Sequence, residues 1–102
     1  MSRIDRKVYI VCYDITDDKR RAKVYQRMRG AGVRLQYSVF RCVLSDLQVS
    51  VLTDELLLEI DTASDQILFV VLGSEDTARS WQVLALGVPV PEPTRRARVV
   101  GR

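Results

Sequence analysis

The order of periodic segments predicts an α+β fold, a ferredoxin-like βαββαβ sandwich with an extra C-terminal strand, and three observations carry the prediction. Runs rich in Val, Ile and Tyr alternate with two segments of helical period in the order strand, helix, strand, strand, helix, strand. At 102 residues the chain has room for one core, so residues 1–102 read as a single domain. Two helices cover only one face of a four-stranded sheet, yet the first and last strands of that unit are apolar on both faces. The uncovered face would exceed the few hundred Å2 that soluble monomers expose, which predicts a sheet-to-sheet homodimer.

Each element has its own warrant. Residues 7–15, KVYIVCYDI, carry no breaker and read as a strand whose two faces stay apolar until Asp14. Thr16 or Asp17 caps a helix running to about Gly30, with acids at its positive end and Gly30 and Gly32 as its stop. Val24, Met28 and Ala31 form its inward stripe, which Arg21 shares in the first turn, whereas Arg20, Lys23 and Arg27 point the other way. An arginine on the buried side calls for an anion, either an external one or Asp17 or Asp14 in a salt bridge.

In VRLQYSVFRCVLS the alternation slips. Val33, Leu35, Tyr37 and Val39 share one face and Phe40, Cys42 and Leu44 the other. A bulge or a tight hairpin between Tyr37 and Val39 would each account for this, and no Gly or Asn marks a turn. Ser45 and Gln48 form a capping box for a second helix, roughly residues 46–60. Its inward row is Val49, Leu52, Leu56 and Ile60, leaving Leu47, Val51 and Leu58 on the far side. DQILFVVLG is the next strand and SWQVLALG a shorter one. Residues 88–102 form a Pro-punctuated basic segment in which ARVV has the pattern to join a sheet edge of this chain or of a partner.

Composition narrows the function. Hydrophobic content of 47% and charged content of 28% fit a soluble globular protein, and no apolar run approaches a membrane span. Cys12 and Cys42 both fall inside strands, so they read as core thiols of a cytoplasmic protein rather than a disulfide. The absence of histidine removes the commonest general base and the usual zinc ligand, and there is no phosphate loop or nucleophile elbow. Net charge is only +3, but seven bases and no acid lie between Lys19 and Arg34, and eight acids and no base between Cys42 and Ala78. That segregation suits an anionic partner on one face or two solvated helix faces of opposite sign.

What remains for chemistry is Asp14, at the carboxyl end of a strand and beside a helix N-terminus, where functional groups of α/β units collect. Asp14 either closes the turn with Thr16 and Asp17 or meets its symmetry mate across a dimer axis. Two carboxylates ~4 Å apart repel by roughly 4 kcal/mol at an effective dielectric of 20, so such a pair shares a proton or holds a cation. Mg2+ or Mn2+, one ion between the Asp14 carboxylates of two subunits, suits this chemistry and activates a phosphodiester without histidine.

YDI at residues 13–15, DDKRRAK after it, Gly32, RLQYSVF at residues 34–40 and WQVLALG before a proline-rich turn together resemble the CRISPR-associated protein two family. That family is the small adaptation-stage partner of the CRISPR integrase, with roles in antiviral defense. The resemblance implies a cytoplasmic ferredoxin-like homodimer, a Mg2+-dependent or Mn2+-dependent endonuclease on RNA or double-stranded DNA, and a scaffold that bridges the integrase during spacer acquisition. It makes Asp14 the metal-binding catalytic aspartate and Tyr13 its catalytic neighbour. It matches Arg21 to a basic position in the first helical turn, Lys23 to a position where some members have arginine, and Arg34, Ser38 and Phe40 to positions associated with activity or its geometry, and the basic run adds Arg20 and Arg27 to the nucleic-acid surface. Arg41 stands where many members carry glutamate. The resemblance also favours the hairpin over the bulge. The competing reading is a non-catalytic ferredoxin-like regulatory or protein-interaction module.

Overall fold

The computed structural model describes residues 5–76, 83–89 and 97–100. The first six elements come in the expected order: β1 (Arg6–Asp14), α1 (Asp18–Ala31), β2 (Val33–Gln36), β3 (Val39–Ser45), α2 (Asp46–Glu59) and β4 (Gln66–Ser74). These strands form one antiparallel sheet in the order β2-β3-β1-β4. β1 is a central strand, flanked by β3 and β4.

The core lies on one side of that sheet. Tyr9, Val11 and Tyr13 of β1 and Phe40, Cys42 and Leu44 of β3 are buried against Val24 and Met28 of α1 and Leu52 and Leu56 of α2. Val49, Ile60 and Ala31 pack around this cluster, so both inward helical stripes have the residues their spacing indicates. Leu47, Val51 and Leu58 are exposed, as their place on the far side of α2 requires, and Leu57 joins them. The opposite sheet face carries Ile10 and Cys12 beside Leu68 and Val70 of β4; the two β4 residues are about half exposed, at 47% and 48%.

The helix ends follow their local chemistry. Asp17, not Thr16, is the N-cap of α1: its carboxylate accepts the Arg20 backbone N–H at 2.9 Å. Gly30 lies inside the helix, and only Gly32 ends it. Gly32 has an extended backbone, with φ −166°, rather than the left-handed one of a common glycine stop. Its requirement is space: a Cβ there would collide with the Arg41 carbonyl oxygen and Cys42 Sγ on β3. The capping box of α2 is present in both directions, Gln48 N–H to Ser45 Oγ at 3.2 Å and Ser45 N–H to Gln48 Oε1 at 2.8 Å.

The phase slip contains both features expected as alternatives. Tyr37 and Ser38 turn the chain between β2 and β3, and the pairing register also shifts between Arg34 and Gln36. Among the described residues no non-glycine has a positive φ, so this turn needs neither Gly nor Asn. The C-terminal part departs from the expected single extra strand. β5 (Val83–Leu86) and β6 (Ala97–Val100) pair in parallel as a separate two-stranded sheet, so the ARVV segment joins β5 and not the edge of the main sheet. The SWQ portion of the short strand and residues 90–96 of the proline-rich segment lie outside the described residues. Both cysteines are free thiols.

Candidate functional site

The carboxyl end of β1 separates two chemistries by strand alternation. Tyr13 and Ile15 turn to the helix side and are buried, whereas Asp14 is exposed on the same strand face as Ile10 and Cys12. Three acids lie within residues 14–18, and their fates differ. Asp17 caps α1, and Asp18 pairs with Arg21. The Asp14 carboxylate has no hydrogen bond or ion pair among the described residues, so it does not close the turn.

Arg21 holds the loop that follows Asp14. Its guanidinium donates to the Ile15 carbonyl at 3.1 Å and the Thr16 carbonyl at 3.2 Å while pairing with Asp18. The carboxylate partner is therefore Asp18, not Asp17 or Asp14. That hydrogen bond raises the arginine above its ordinary pKa, against a smaller opposing effect of burial. Two other basic residues also depart from the sequence reading. Arg20, expected to face away, pairs with Asp65 at 2.7 Å, and Arg27 bridges to Glu55 and Glu59 of α2 at 3.3 Å each. The Arg20 guanidinium holds the Asp65 carboxyl below its usual range, with the Asp61 backbone N–H adding to the effect. Both arginines are occupied by the fold, while Lys19, Lys23 and Arg29 are exposed on α1 without an ion pair among the described residues.

On the helix side, α1 and the β2–β3 turn enclose an open cavity of about 310 Å3 lined by Tyr13, Asp18, Arg21, Ala22, Tyr25, Arg34 and Tyr37. The Arg34 guanidinium lies 5.6 Å from the Tyr25 ring centroid and 5.7 Å from that of Tyr37. It makes no hydrogen bond or ion pair among the described residues. Burial pushes the Tyr13 phenol above its ordinary value of 10.0, against the opposing pull of Arg34, so it stays a neutral donor.

Phe40 is buried, at 1% exposure; it stacks with Tyr13 at 6.2 Å and packs on Tyr25 at 6.1 Å. It therefore supports the cavity from beneath. Ser38 contributes its backbone, since its carbonyl accepts the Tyr13 N–H at 3.1 Å and ties the turn to the end of β1. The structure thus gathers Tyr13, Arg21, Ser38, Arg34 and Phe40 around one cavity and leaves Asp14 on the other side of the strand. Tyr25, the Tyr37 ring and Asp18 were not singled out for this site by sequence reasoning. A large ring at a turn position and Tyr25 one helical turn after Arg21 were the available signals.

Among the described residues no three His, Cys, Asp or Glu side chains come together as a metal site. Among the described residues of the β1–α1 junction, one chain therefore offers a single uncommitted carboxylate, Asp14. Two copies would offer two, the number with which Mg2+ is satisfied when water completes its shell. The donor set fits a hard divalent ion, provided that a second copy is present.

Comparison with known proteins bears on the family and the fold. Residues 7–80 match the family model described as CRISPR associated protein Cas2. The chain is 36% identical over 87 residues to CRISPR-associated endoribonuclease Cas2 2 of Thermodesulfovibrio yellowstonii, covering 85% of this chain and 92% of that one. The fold is similar to the crystal structure of hypothetical protein TT1823 from Thermus thermophilus, with a TM-score of 0.73 and 31% identity over 87% of this chain and 99% of that one. It is also similar to Streptococcus pyogenes Cas2, with a TM-score of 0.61 and 30% identity over 65% and 86% of the two chains. On the strength of a family match over most of its length and of that identity to a curated member, this chain belongs to the CRISPR-associated Cas2 family.

Proposed function

We propose that the chain is a CRISPR-associated nuclease that hydrolyses phosphodiester bonds of nucleic acid at Asp14, as a ferredoxin-like homodimer joined through its sheet faces. One observation carries the reading: of the three acids at the β1–α1 junction, only Asp14 is exposed and uncommitted, on the apolar sheet face that a second copy would cover. The names of the relatives, which include an endoribonuclease, support the reaction class.

The residues divide the work. Asp14 and its symmetry mate hold a divalent ion, which when bound neutralises charge on the phosphodiester and supplies Lewis-acid activation. Arg21 fixes the Ile15 and Thr16 carbonyls and so the backbone that leaves Asp14. Tyr13 acts as a positioning residue through its buried ring. Arg34, with its N–H groups uncommitted, takes a phosphate oxygen. Hydrolysis adds water oxygen to phosphorus and expels one ribose or deoxyribose oxygen, which leaves with a proton.

The test is cleavage of RNA and of duplex DNA by wild type, Asp14→Ala and Asp14→Asn, each with Mg2+, Mn2+ or chelator. Both variants and the chelated wild type are expected to lose at least about 100-fold, since loss of a metal ligand exceeds the 10- to 100-fold cost of losing its partner. Equal activity across all these conditions would overturn the reading.

A second reading is favoured by the exposed Lys19, Lys23 and Arg29 on α1. These bases suit a scaffold that binds DNA and bridges the CRISPR integrase during spacer acquisition, a role that needs phosphate neutralisation but not Asp14. Salt-sensitive duplex binding and capture of the integrase, both retained in Asp14→Ala, would support it. Duplex binding indifferent to salt would count against it.

A further inference from the structure

We infer that the cavity between α1 and the β2–β3 turn is a nucleotide subsite, which stacks one unpaired base of a single strand on Tyr37 and holds the adjoining phosphate with Arg34. The inference deepens the nucleic-acid reading above and rests on it. Its ligand is a nucleotide within a polymer, RNA or DNA, in single-stranded form.

Four observations carry it. The cavity, at about 310 Å3, lies at the small end of the roughly 300–1,000 Å3 of ligand pockets. Its wall supplies three tyrosines, and an aromatic ring stacks on any base because every base has a π-face. Tyr37 is 70% exposed at a turn, where polar or small residues are usual. Arg34 has a positive charge and no acceptor among the described residues, although the arginines at 20, 21 and 27 all have carboxylate partners.

The charge balance agrees. Asp18 neutralises Arg21, so the cavity keeps the single net positive charge of Arg34, matched to one phosphate. Cation–π contact with Tyr25 and Tyr37 holds the free guanidinium at the rim. A base arriving on Tyr37 replaces part of that contact and leaves the guanidinium N–H groups to a phosphate. A duplex keeps its bases stacked on one another and cannot offer a ring to Tyr37 without unpairing. The subsite therefore selects single strands, whereas the lysines of α1 do not distinguish them from duplexes.

The experiment measures binding of the full chain in EDTA, where cleavage does not intervene. The probes are a labelled single strand of about ten nucleotides, the same strand with abasic sites throughout, and the matching duplex. Wild type is expected to bind the abasic strand about 5- to 150-fold more weakly than the normal one, the factor that ~1–3 kcal/mol per stacked base gives. Tyr37→Ala should lose the same factor on the normal strand only, Tyr37→Phe should lose little, and the duplex should bind all three proteins alike. Tyr37 is largely exposed, so its truncation leaves the core in place, and the abasic comparison uses wild type alone.

Wild type that binds abasic and normal strands equally, or a Tyr37→Ala loss of the same size on duplex as on single strand, overturns the stacking subsite while leaving the nucleic-acid reading intact. No binding of any probe overturns both. Adenosine monophosphate that displaces the strand at equal concentration would assign the cavity to a free nucleotide and overturn the polymer reading.

Discussion

Asp14 differs from Asp17 and Asp18 only in what the backbone does next. The strand ends on it, the helix begins after it, and the two later acids are consumed by a cap and an ion pair. Its place at the carboxyl end of β1 was legible from the strand pattern. The cavity was not, since Tyr25 and Tyr37 are twelve positions apart and meet only through packing of α1 on the hairpin. Nor was the commitment of Arg20 and Arg27, because their partners Asp65, Glu55 and Glu59 lie about thirty or more residues downstream. Cys42 yields a prediction at this scale. Burial pushes its thiol from an ordinary 9.0 up to about 11, so the folded state keeps a proton that the unfolded chain releases. That stabilisation is fully present below pH 9 and is lost as pH rises from 9 to 11. The difference in melting temperature between wild type and Cys42→Ala should narrow across that window; a constant difference to pH 11 would refute it.

At the scale of the element, the end of α1 shows how sequence signals mislead. Gly30 and Gly32 look alike on paper, but the first is an ordinary helical position in open space and the second is wedged against β3. The distinction depends on the distance between α1 and a strand formed later in the chain. Gly30→Ala should therefore stabilise the protein by about 0.5–1 kcal/mol through helix propensity. Gly32→Ala, although its backbone is accessible to any residue, should cost about 1–3 kcal/mol as β3 shifts to admit the methyl group. Urea unfolding of both variants measures the pair, and equal effects would show that the α1–β3 approach is not a constraint. The capping box of α2, by contrast, is wholly local and was legible residue by residue. Local chemistry was equally sufficient for the inward stripes of both helices. The β2–β3 join was only half legible, because the side-chain phase reveals a slip but not whether the chain turns back there.

For the whole molecule, the uneven covering of the sheet matters most. Both helices pack on one face, and the other carries Leu68 and Val70 half exposed beside Ile10 and Cys12. If a second copy covers this face, Val70→Glu should convert a dimer to a monomer in light scattering and abolish cleavage in parallel, because each copy contributes one Asp14. Wild type that is monomeric at all concentrations would sink the shared-ion arrangement. The β5 and β6 segments were both legible as strands, but their pairing with each other was not, as four-residue strands give too little periodicity to name their neighbours. A last consequence comes from the alternation at the end of β1, where a carboxylate and a ring one peptide apart occupy opposite sides. A polymer that engages both must curl over the rim of the sheet within a few nucleotides. A double helix, whose persistence length is about 50 nm, resists such curvature; a lone strand follows it freely.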